Sequence, residues 1–283
     1  MSRGTIAAMT DRQQIRVTRG LLGAWYIAAI VFLFAPLVAA VVYSFNLGMV
    51  NKETATLTGW TLQWYPAAWA DLSLRRAVVT SLEVSVWSAL ISTAIGSILG
   101  YAMVRHPYPK ARRFLTGLTY MLLIVPESVI GVSLLLFYAV THVPFSMATL
   151  VAGITPMAIA VVALVVRARV LTLDRTIEEV AADLGATRLQ SLWLVVLPQA
   201  LPAVAVGGVM AYTFSFDNLV ISTFLTTPQI NTFPVYLYGA LQYGPSPAIY
   251  AAASVVFLFT LLLLGLAAAI YQLTRRPRLP AAG

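Results

Sequence analysis

The chain lacks cysteine and has little charge. Its 283 residues include no cysteine, two histidines and two lysines, and only 10% of them are charged. Without cysteine there is no disulfide framework and no thiolate ligand, and His106 and His142 lie too far apart in sequence to suggest a metal cluster. Neither Lys52 nor Lys110 follows a Gly-x4-Gly stretch, so no Walker A nucleotide loop is present. There is also no Ser/His/Asp set and no HExxH motif. We therefore expect no cofactor, no metal and no enzymatic activity in this chain.

The chain has an unusually high fraction of apolar residues. Hydrophobic residues make up 60% of the sequence, and the mean hydropathy is +0.84. A soluble domain of this length has too little interior for so much apolar surface, so the composition predicts an all-α integral membrane protein. Apolar runs long enough to cross a bilayer predict six spans, at residues 21–45, 77–104, 115–140, 145–166, 198–225 and 248–271. Residues 1–20 and 272–283 are then polar tails around a membrane domain at 21–271.

The positive charges are distributed unevenly between the predicted loops. Of the eighteen lysines and arginines, fifteen lie in the two tails and in the loops after spans two and four, and three lie in the loop after span one. Such an excess marks the cytoplasmic side, so both termini are predicted to be cytoplasmic. The net charge of +8 therefore reflects topology, and no nucleic-acid partner is expected.

A polar interval at residues 171–198, hereafter the hairpin, interrupts the apolar chain between spans four and five. Thr176 and Glu179 have the spacing of a capping box at a helix start, and so do Thr187 and Gln190. Gly185 lies where a left-handed C-cap is expected, and Pro198 is placed to open the next helix. The hairpin is thus predicted to be two short helices joined by a glycine turn.

The same residues carry a resemblance. Glu179-Val180-Ala181, then Gly185, then Val195-x-Leu197-Pro198 resembles the "EAA" motif of permease subunits of binding-protein-dependent ABC importers, with Val180 in place of alanine and Val195 in place of isoleucine. The resemblance implies the type I ABC importer permease fold and makes the hairpin the coupling helix that docks on a cytoplasmic ATPase. It assigns ATPase coupling to a small set of residues. These are Glu179, Ala181, Ala182, Gly185, Leu197 and Pro198.

Three carboxylates fall inside predicted spans, where a charge is costly and marks a candidate functional site. Glu83 lies near a span end, and an interfacial role is expected. Glu127 follows Pro126, where a kink can open the backbone toward a water-filled cavity. Asp217 lies beside Asn218, near Phe214 and Phe216, in a setting that suits a cationic substrate. For Glu127 and Asp217 the alternative is a structural contact between subunits.

Prolines and glycines predict further features of the spans. Pro36, Pro126, Pro156 and Pro202 predict kinked helices. Gly96-x-x-x-Gly100 permits a close helix contact, which could pack span two within the chain or against a partner.

Several stretches are similar to the second permease of spermidine/putrescine importers. They are TFSFDNLVISTFL, VPESVIGVSLLLFY, TFPVYLY and GPSPAIYAAA, within a resemblance that covers about residues 60–271. One departure is Thr80, where that family more often has asparagine. Related permeases take up opines, aminophosphonates, thiamine or ferric iron, so the substrate stays open among these.

The resemblance implies that the chain is one subunit of a transporter in the bacterial inner membrane. The expected partners are a homologous permease forming a heterodimer, two cytoplasmic ATPase subunits, an extracytoplasmic solute-binding protein and the lipid bilayer. A secondary transporter is the rival from another class, but it predicts inverted repeats that the sequence does not show. A membrane enzyme would need a cluster of reactive groups, and only scattered carboxylates are present.

Overall fold

The fold, seen in a computed structural model that describes residues 11–48, 56–243 and 246–274, consists in these ranges of helices joined by turns and loops. The helices are α1 Asp11–Tyr43, α2 Trp64–Ala70, α3 Leu72–Arg105, α4 Pro109–Ile124, α5 Glu127–Val140, α6 Met147–Leu171, α7 Thr176–Asp183, α8 Arg188–Ser191, α9 Leu197–Phe216, α10 Val220–Leu225, α11 Phe233–Tyr243 and α12 Pro247–Thr274. They divide between two compact units, residues 1–70 with 243–283 and residues 71–242. The predicted fold class, an all-α membrane protein, is confirmed.

The first unit contains α1, α2 and α12. Its loop after α1 is held by Asn46, whose side-chain oxygen accepts from the Thr58 amide at 2.8 Å and whose carbonyl accepts from the Trp64 indole at 2.7 Å. Helix α1 already begins at Asp11, so residues 11–20 of the predicted N-terminal tail form the start of the first helix. Residues 1–10 and 275–283 of the two predicted tails lie outside the described residues.

The second unit is built on three packed helices, α3, α6 and α9. The face of α3 that packs against α6 and α9 has a small residue at every third or fourth position. All of these residues are buried: Ser81, Ser85, Ser88, Ser92, Gly96 and Gly100. Such a stripe lets helix backbones approach closely inside a membrane. The hydroxyl of Ser215 on α9 donates to that of Ser88 at 2.8 Å, and the Thr155 hydroxyl of α6 lies 3.3 Å from the same atom. We call these three residues the hydroxyl cluster.

Gly96 and Gly100 are in contact with α6 of the same chain. A Cβ atom at Gly96 would lie 2.7 Å from Val162 Cβ, and one at Gly100 would lie 2.6 Å from the carbonyl oxygen of Ala163. The glycine pair therefore packs within the chain, which was one of the two alternatives.

The predicted span at 115–140, expected to be kinked at Pro126, is broken there into two helices. Helices α4 and α5 meet at an angle of 92°, with Val125 and Pro126 in extended conformations between them. A residue before proline avoids the helical region, so the chain turns where the sequence predicted only a kink. By contrast, Pro36, Pro156 and Pro202 lie inside helices that continue across them.

The described residues contain four helices that are long and apolar enough to cross a membrane: Leu21–Tyr43, Leu72–Arg105, Met147–Leu171 and Leu189–Phe216. The bent pair α4 and α5 makes a fifth if it counts as one span. Helix α12 has 28 residues, or about 42 Å at 1.5 Å per residue. These elements cover the six predicted spans, but the third is broken between α4 and α5, and the fifth ends at Phe216, before the separate helix α10.

The segment 226–247, predicted as an uncharged loop, contains α11. The Phe233 amide donates to the Ser81 hydroxyl at 2.8 Å, and the Tyr236 hydroxyl donates to the Asp71 carboxylate at 3.1 Å. Burial, and then the charge and hydrogen bond of Asp71, raise the pKa of Tyr236 to about 12. The phenol therefore stays a donor at physiological pH and ties α11 to the start of α3.

Candidate functional site

The hairpin turns at Gly185, as the sequence predicted. Gly185 has a φ of +87°, which favours glycine. Its amide donates to the Ala182 carbonyl and the Ala186 amide donates to the Ala181 carbonyl, both at 2.9 Å. These two bonds make a Schellman motif that closes α7, so Ala181 and Ala182 supply the carbonyls of the turn.

The first predicted capping box is wrong. Asp174, and not Thr176, supplies the capping oxygen: its carboxylate accepts from the Thr176 hydroxyl at 2.7 Å and the Thr176 amide at 2.9 Å. These hydrogen bonds lower the pKa of Asp174, which keeps the cap ionised. Glu179 instead faces Arg175 at 3.6 Å on the exposed side of α7. A carboxylate that precedes the first turn caps a helix as well as a threonine does, and sequence spacing alone chose the wrong one.

The second capping box is confirmed. The Thr187 amide donates to the Gln190 side-chain oxygen at 2.8 Å, and the Gln190 amide lies 3.3 Å from the Thr187 hydroxyl. Helix α8 then passes through a π-helical turn at Leu192–Val196 into α9. Pro198 therefore lies in the first turn of α9 but does not open a separate helix, because Leu197 continues the preceding turns.

The hairpin presents an unpaired apolar face. Helix α7 has no buried residue, and Ile177, Val180 and Leu184 are all exposed, Leu184 by 84%. Their spacing of three and four residues places them on one side of the helix, with Ala181 between them. An exposed apolar helix face of this kind is typical of a protein docking surface.

Sequence reasoning missed the residue that anchors the hairpin. Arg105, the last residue of α3, donates from Nε to Glu178 at 2.6 Å and from Nη2 to the Leu173 carbonyl at 3.0 Å. The Arg105 and Glu178 side chains are only 12% and 16% exposed. Glu178 adjoins the EAA motif, but no sequence signal pairs it with a residue 73 positions earlier.

Two of the predicted path residues come together at the break between α4 and α5. The Asn218 amide donates to the Glu127 carboxylate at 3.1 Å, and its oxygen accepts from the amides of Ile221 and Ser222. Asn218 is buried and Glu127 is half-buried. Both ends of the amide are in use, so Asn218 holds the first turn of α10 and orients the carboxylate at the same time.

The remaining path candidates lie around this pair on α9. Asp217 is the C-cap of α9, with an exposed side chain. Phe216 stacks near Tyr212 at 6.3 Å between ring centroids and contacts Phe233 at 6.4 Å. Phe214 packs into the apolar core of the unit instead. The structure thus groups Glu127, Asp217, Asn218 and Phe216 near one end of α9, whereas Phe214 supports the fold and Glu83 lies on the exposed side of α3.

The apolar helices, together with the broken helix and the hairpin between them, are features of a multi-pass membrane protein. The sequence pattern of the family described as "Binding-protein-dependent transport system inner membrane component" matches residues 92–276. The chain belongs to this family.

Two curated relatives from Escherichia coli K12 are similar over most of the chain. The putrescine transport system permease protein PotI is 33% identical over 80% of this chain and 81% of the relative. The spermidine/putrescine transport system permease protein PotC is 29% identical over 87% of this chain and 92% of the relative. The sequence resemblance to this family of permeases is confirmed.

The fold has a counterpart among solved structures. A bacterial ABC transporter involved in the import of the acidic polysaccharide alginate contains a chain that matches with a TM-score of 0.72 at 14% identity, covering 94% of this chain and 100% of that one. At that identity the likeness concerns the fold alone. It agrees with the type I ABC importer permease fold. By its family, the chain is a multi-pass inner membrane component of a binding-protein-dependent transport system.

Proposed function

We propose that this permease lines half of a path for polyamine import. The observation that carries the proposal is the hydrogen-bonded pair Glu127–Asn218 at the broken helix, with the carboxylate of Asp217 next to Asn218 in the chain. The names of the two relatives, which specify putrescine and spermidine, support the same substrate class. A homologous permease forms the other half of the path, and an extracytoplasmic binding protein delivers the substrate.

The chemistry of the site suits a flexible polycation. Carboxylates attract ammonium groups, and aromatic faces such as Phe216 add a cation–π contribution of about 0.5–2 kcal/mol. Glu127 is oriented by Asn218, so it meets a passing cation without reorganisation. The binding protein sets most of the selectivity, because a deep trap in the path would slow release.

Charge removal tests the substrate path. Asp217→Asn and Glu127→Gln nearly preserve shape, and we expect each to lower putrescine or spermidine uptake by about tenfold, the equivalent of about 1.4 kcal/mol. The measurement is uptake of labelled polyamine by proteoliposomes that hold the complete transporter. Glu83→Gln, the same change on the exposed side of α3, is the control and should transport normally.

The outcomes separate the alternatives. Failed assembly of both variants would assign the carboxylates to structural contacts with the partner permease. Normal assembly with unchanged polyamine uptake would remove the two carboxylates from the path. Absence of polyamine uptake by the wild-type transporter would instead point to an opine, an aminophosphonate, thiamine or ferric iron.

The hairpin is proposed to dock on one of two cytoplasmic ATPase subunits. Its apolar face is open, and Ala181, Ala182 and Gly185 let a partner surface approach closely. Glu179 borders that face, while Leu197 and Pro198 begin the helix that carries the motion into the membrane. ATP hydrolysis then takes place in the partner and not in this chain.

The orientation can be measured directly. The excess of arginine near the hairpin and in the tails supports a cytoplasmic location for both. A reporter fused after Arg278 and a second one inserted within residues 226–247 should therefore lie on opposite sides of the membrane. Two reporters with same-side signals would contradict both the topology and the docking of the hairpin on a cytoplasmic ATPase.

A further inference from the structure

An ion pair between Arg105 and Glu178, largely shielded from solvent, links α7 to α3. None of the residues of α7 is buried, so packing contributes little to its position. Arg105 holds α7 in place instead, because its guanidinium donates hydrogen bonds both to Glu178 on α7 and to the Leu173 carbonyl just before α7. Two directed bonds from a planar group fix orientation as well as distance.

The setting of this pair differs from that of the other ion pair on α7. Arg105 and Glu178 are 2.6 Å apart and nearly shielded from solvent, whereas Arg175 and Glu179 are 3.6 Å apart and more than 60% exposed. An exposed pair contributes little. A shielded pair cannot lose one partner without leaving the other charge poorly solvated.

Arg105 is also the end of the longest packed helix in its unit. Helix α3 has 34 residues and is therefore about 51 Å long. Near its other end Asp71 binds Tyr236 and Ser81 binds the Phe233 amide, and between the ends Ser88 binds Ser215. A movement applied at Arg105 thus reaches α11 and α9 through hydrogen bonds on a single helix.

We propose that Arg105 is a positioning residue that fastens the hairpin to α3, so that α7 and α3 move as one body during the transport cycle. The proposal rests on the proposed docking of the hairpin on an ATPase. Arg105 acts through Glu178 and Leu173 and touches neither substrate nor nucleotide.

The first test measures coupling in the assembled transporter. Arg105→Glu and Glu178→Arg should each lower the stimulation of ATP hydrolysis by the loaded binding protein by about tenfold, a usual size for coupling between sites. The double variant R105E/E178R should restore most of it, because the ion pair re-forms. Arg105→Lys keeps the charge but loses the second bond, and should give an intermediate value.

Arg113→Glu is the matched control, since it makes the same change at an exposed position in the first turns of α4. It should leave the stimulation unchanged. If the single variants fail to assemble, assembly and stimulation by the double variant still support the proposal. A double variant no better than the single ones, or single variants equal to wild type, would overturn it.

The second test does not depend on ATP hydrolysis. The chain has no cysteine, so spin labels at Asp183→Cys on α7 and Ile98→Cys on α3 report one distance, provided that the cysteines of the partner subunits are replaced. In the assembled complex this distance should be narrow and equal with and without ATP, and Arg105→Glu should broaden it. A shift of more than about 5 Å, one helical turn, upon ATP binding in the otherwise wild-type chain would show that the hairpin moves against α3 and would overturn the proposal.

The two tests separate the two proposals. If the loaded binding protein does not stimulate ATP hydrolysis by the wild-type complex, the proposed function of the hairpin is contradicted. The distance measurement would still decide whether Arg105 holds α7 to α3.

Discussion

Valine at Gly185 is expected to leave the permease in the membrane and to abolish most of the stimulation of ATP hydrolysis by the loaded binding protein. The φ of +87° is costly for a β-branched residue, by about 1–3 kcal/mol. A Cβ atom there would meet nothing within 4 Å, so the penalty is conformational and not steric. Because α7 has no buried residue to oppose the strain, the turn is expected to change shape and tilt the docking face.

Gly185→Asn is the matched control, because asparagine tolerates the left-handed region far better than valine. It should keep most of the stimulation. The measurement is ATPase activity of the reconstituted transporter with and without the loaded binding protein. Full stimulation in a normally assembled Gly185→Val complex would show that the geometry of this turn does not matter for coupling.

The second large effect is expected at Gly100. A Cβ atom at Gly100 would lie 2.6 Å from the Ala163 carbonyl oxygen and 3.0 Å from the Arg167 amide nitrogen. Both are backbone atoms of α6, which can move away only if the helices separate. Overpacking of this kind costs about 1–3 kcal/mol or more, so Gly100→Leu should leave little folded permease in the membrane, and Gly100→Ala should lie between it and wild type.

Gly117→Leu is the comparison, because a Cβ atom at Gly117 in α4 meets nothing within 4 Å. The quantity to measure is the amount of monodisperse permease extracted from membranes, together with its thermal unfolding. Equal yields from Gly100→Leu and Gly117→Leu would contradict the close contact between α3 and α6.

The turn at Gly185 and the capping box of Thr187 could be predicted from the sequence because both depend on neighbouring residues. The same is true of the spans, whose apolar runs are visible one at a time. The cap of α7 also depends on neighbouring residues, but the sequence assigned it to Thr176, two residues after the residue that supplies the capping oxygen. Asp174 accepts from the Thr176 amide, whereas Thr176 as the cap would accept from the Glu179 amide, and only the backbone path into α7 decides between the two arrangements.

The features that the sequence did not predict depend on distant residues or on a backbone angle. Pro126 signals a break, but the 92° turn between α4 and α5 depends on how each helix packs. The bond from Asn218 to Glu127 joins residues 91 positions apart, and that from Arg105 to Glu178 joins residues 73 positions apart. A carboxylate in an apolar segment can be recognised as unusual from the sequence alone, but its hydrogen-bond partner cannot be predicted from it.

The hydroxyl cluster of Ser88, Thr155 and Ser215 limits how the transporter can change shape. A slide of α3 by one turn, 5.4 Å, would separate the Ser88 hydroxyl from both the Ser215 and the Thr155 hydroxyls. An unbonded buried hydroxyl is costly, and the same slide would bring a residue with a side chain to the place of Gly96 or Gly100, where a Cβ atom has no room against α6. These contacts favour a single register of the three helices, so in the proposed transport cycle we expect them to move as one block, with the chain bending at the helix break beside Pro126.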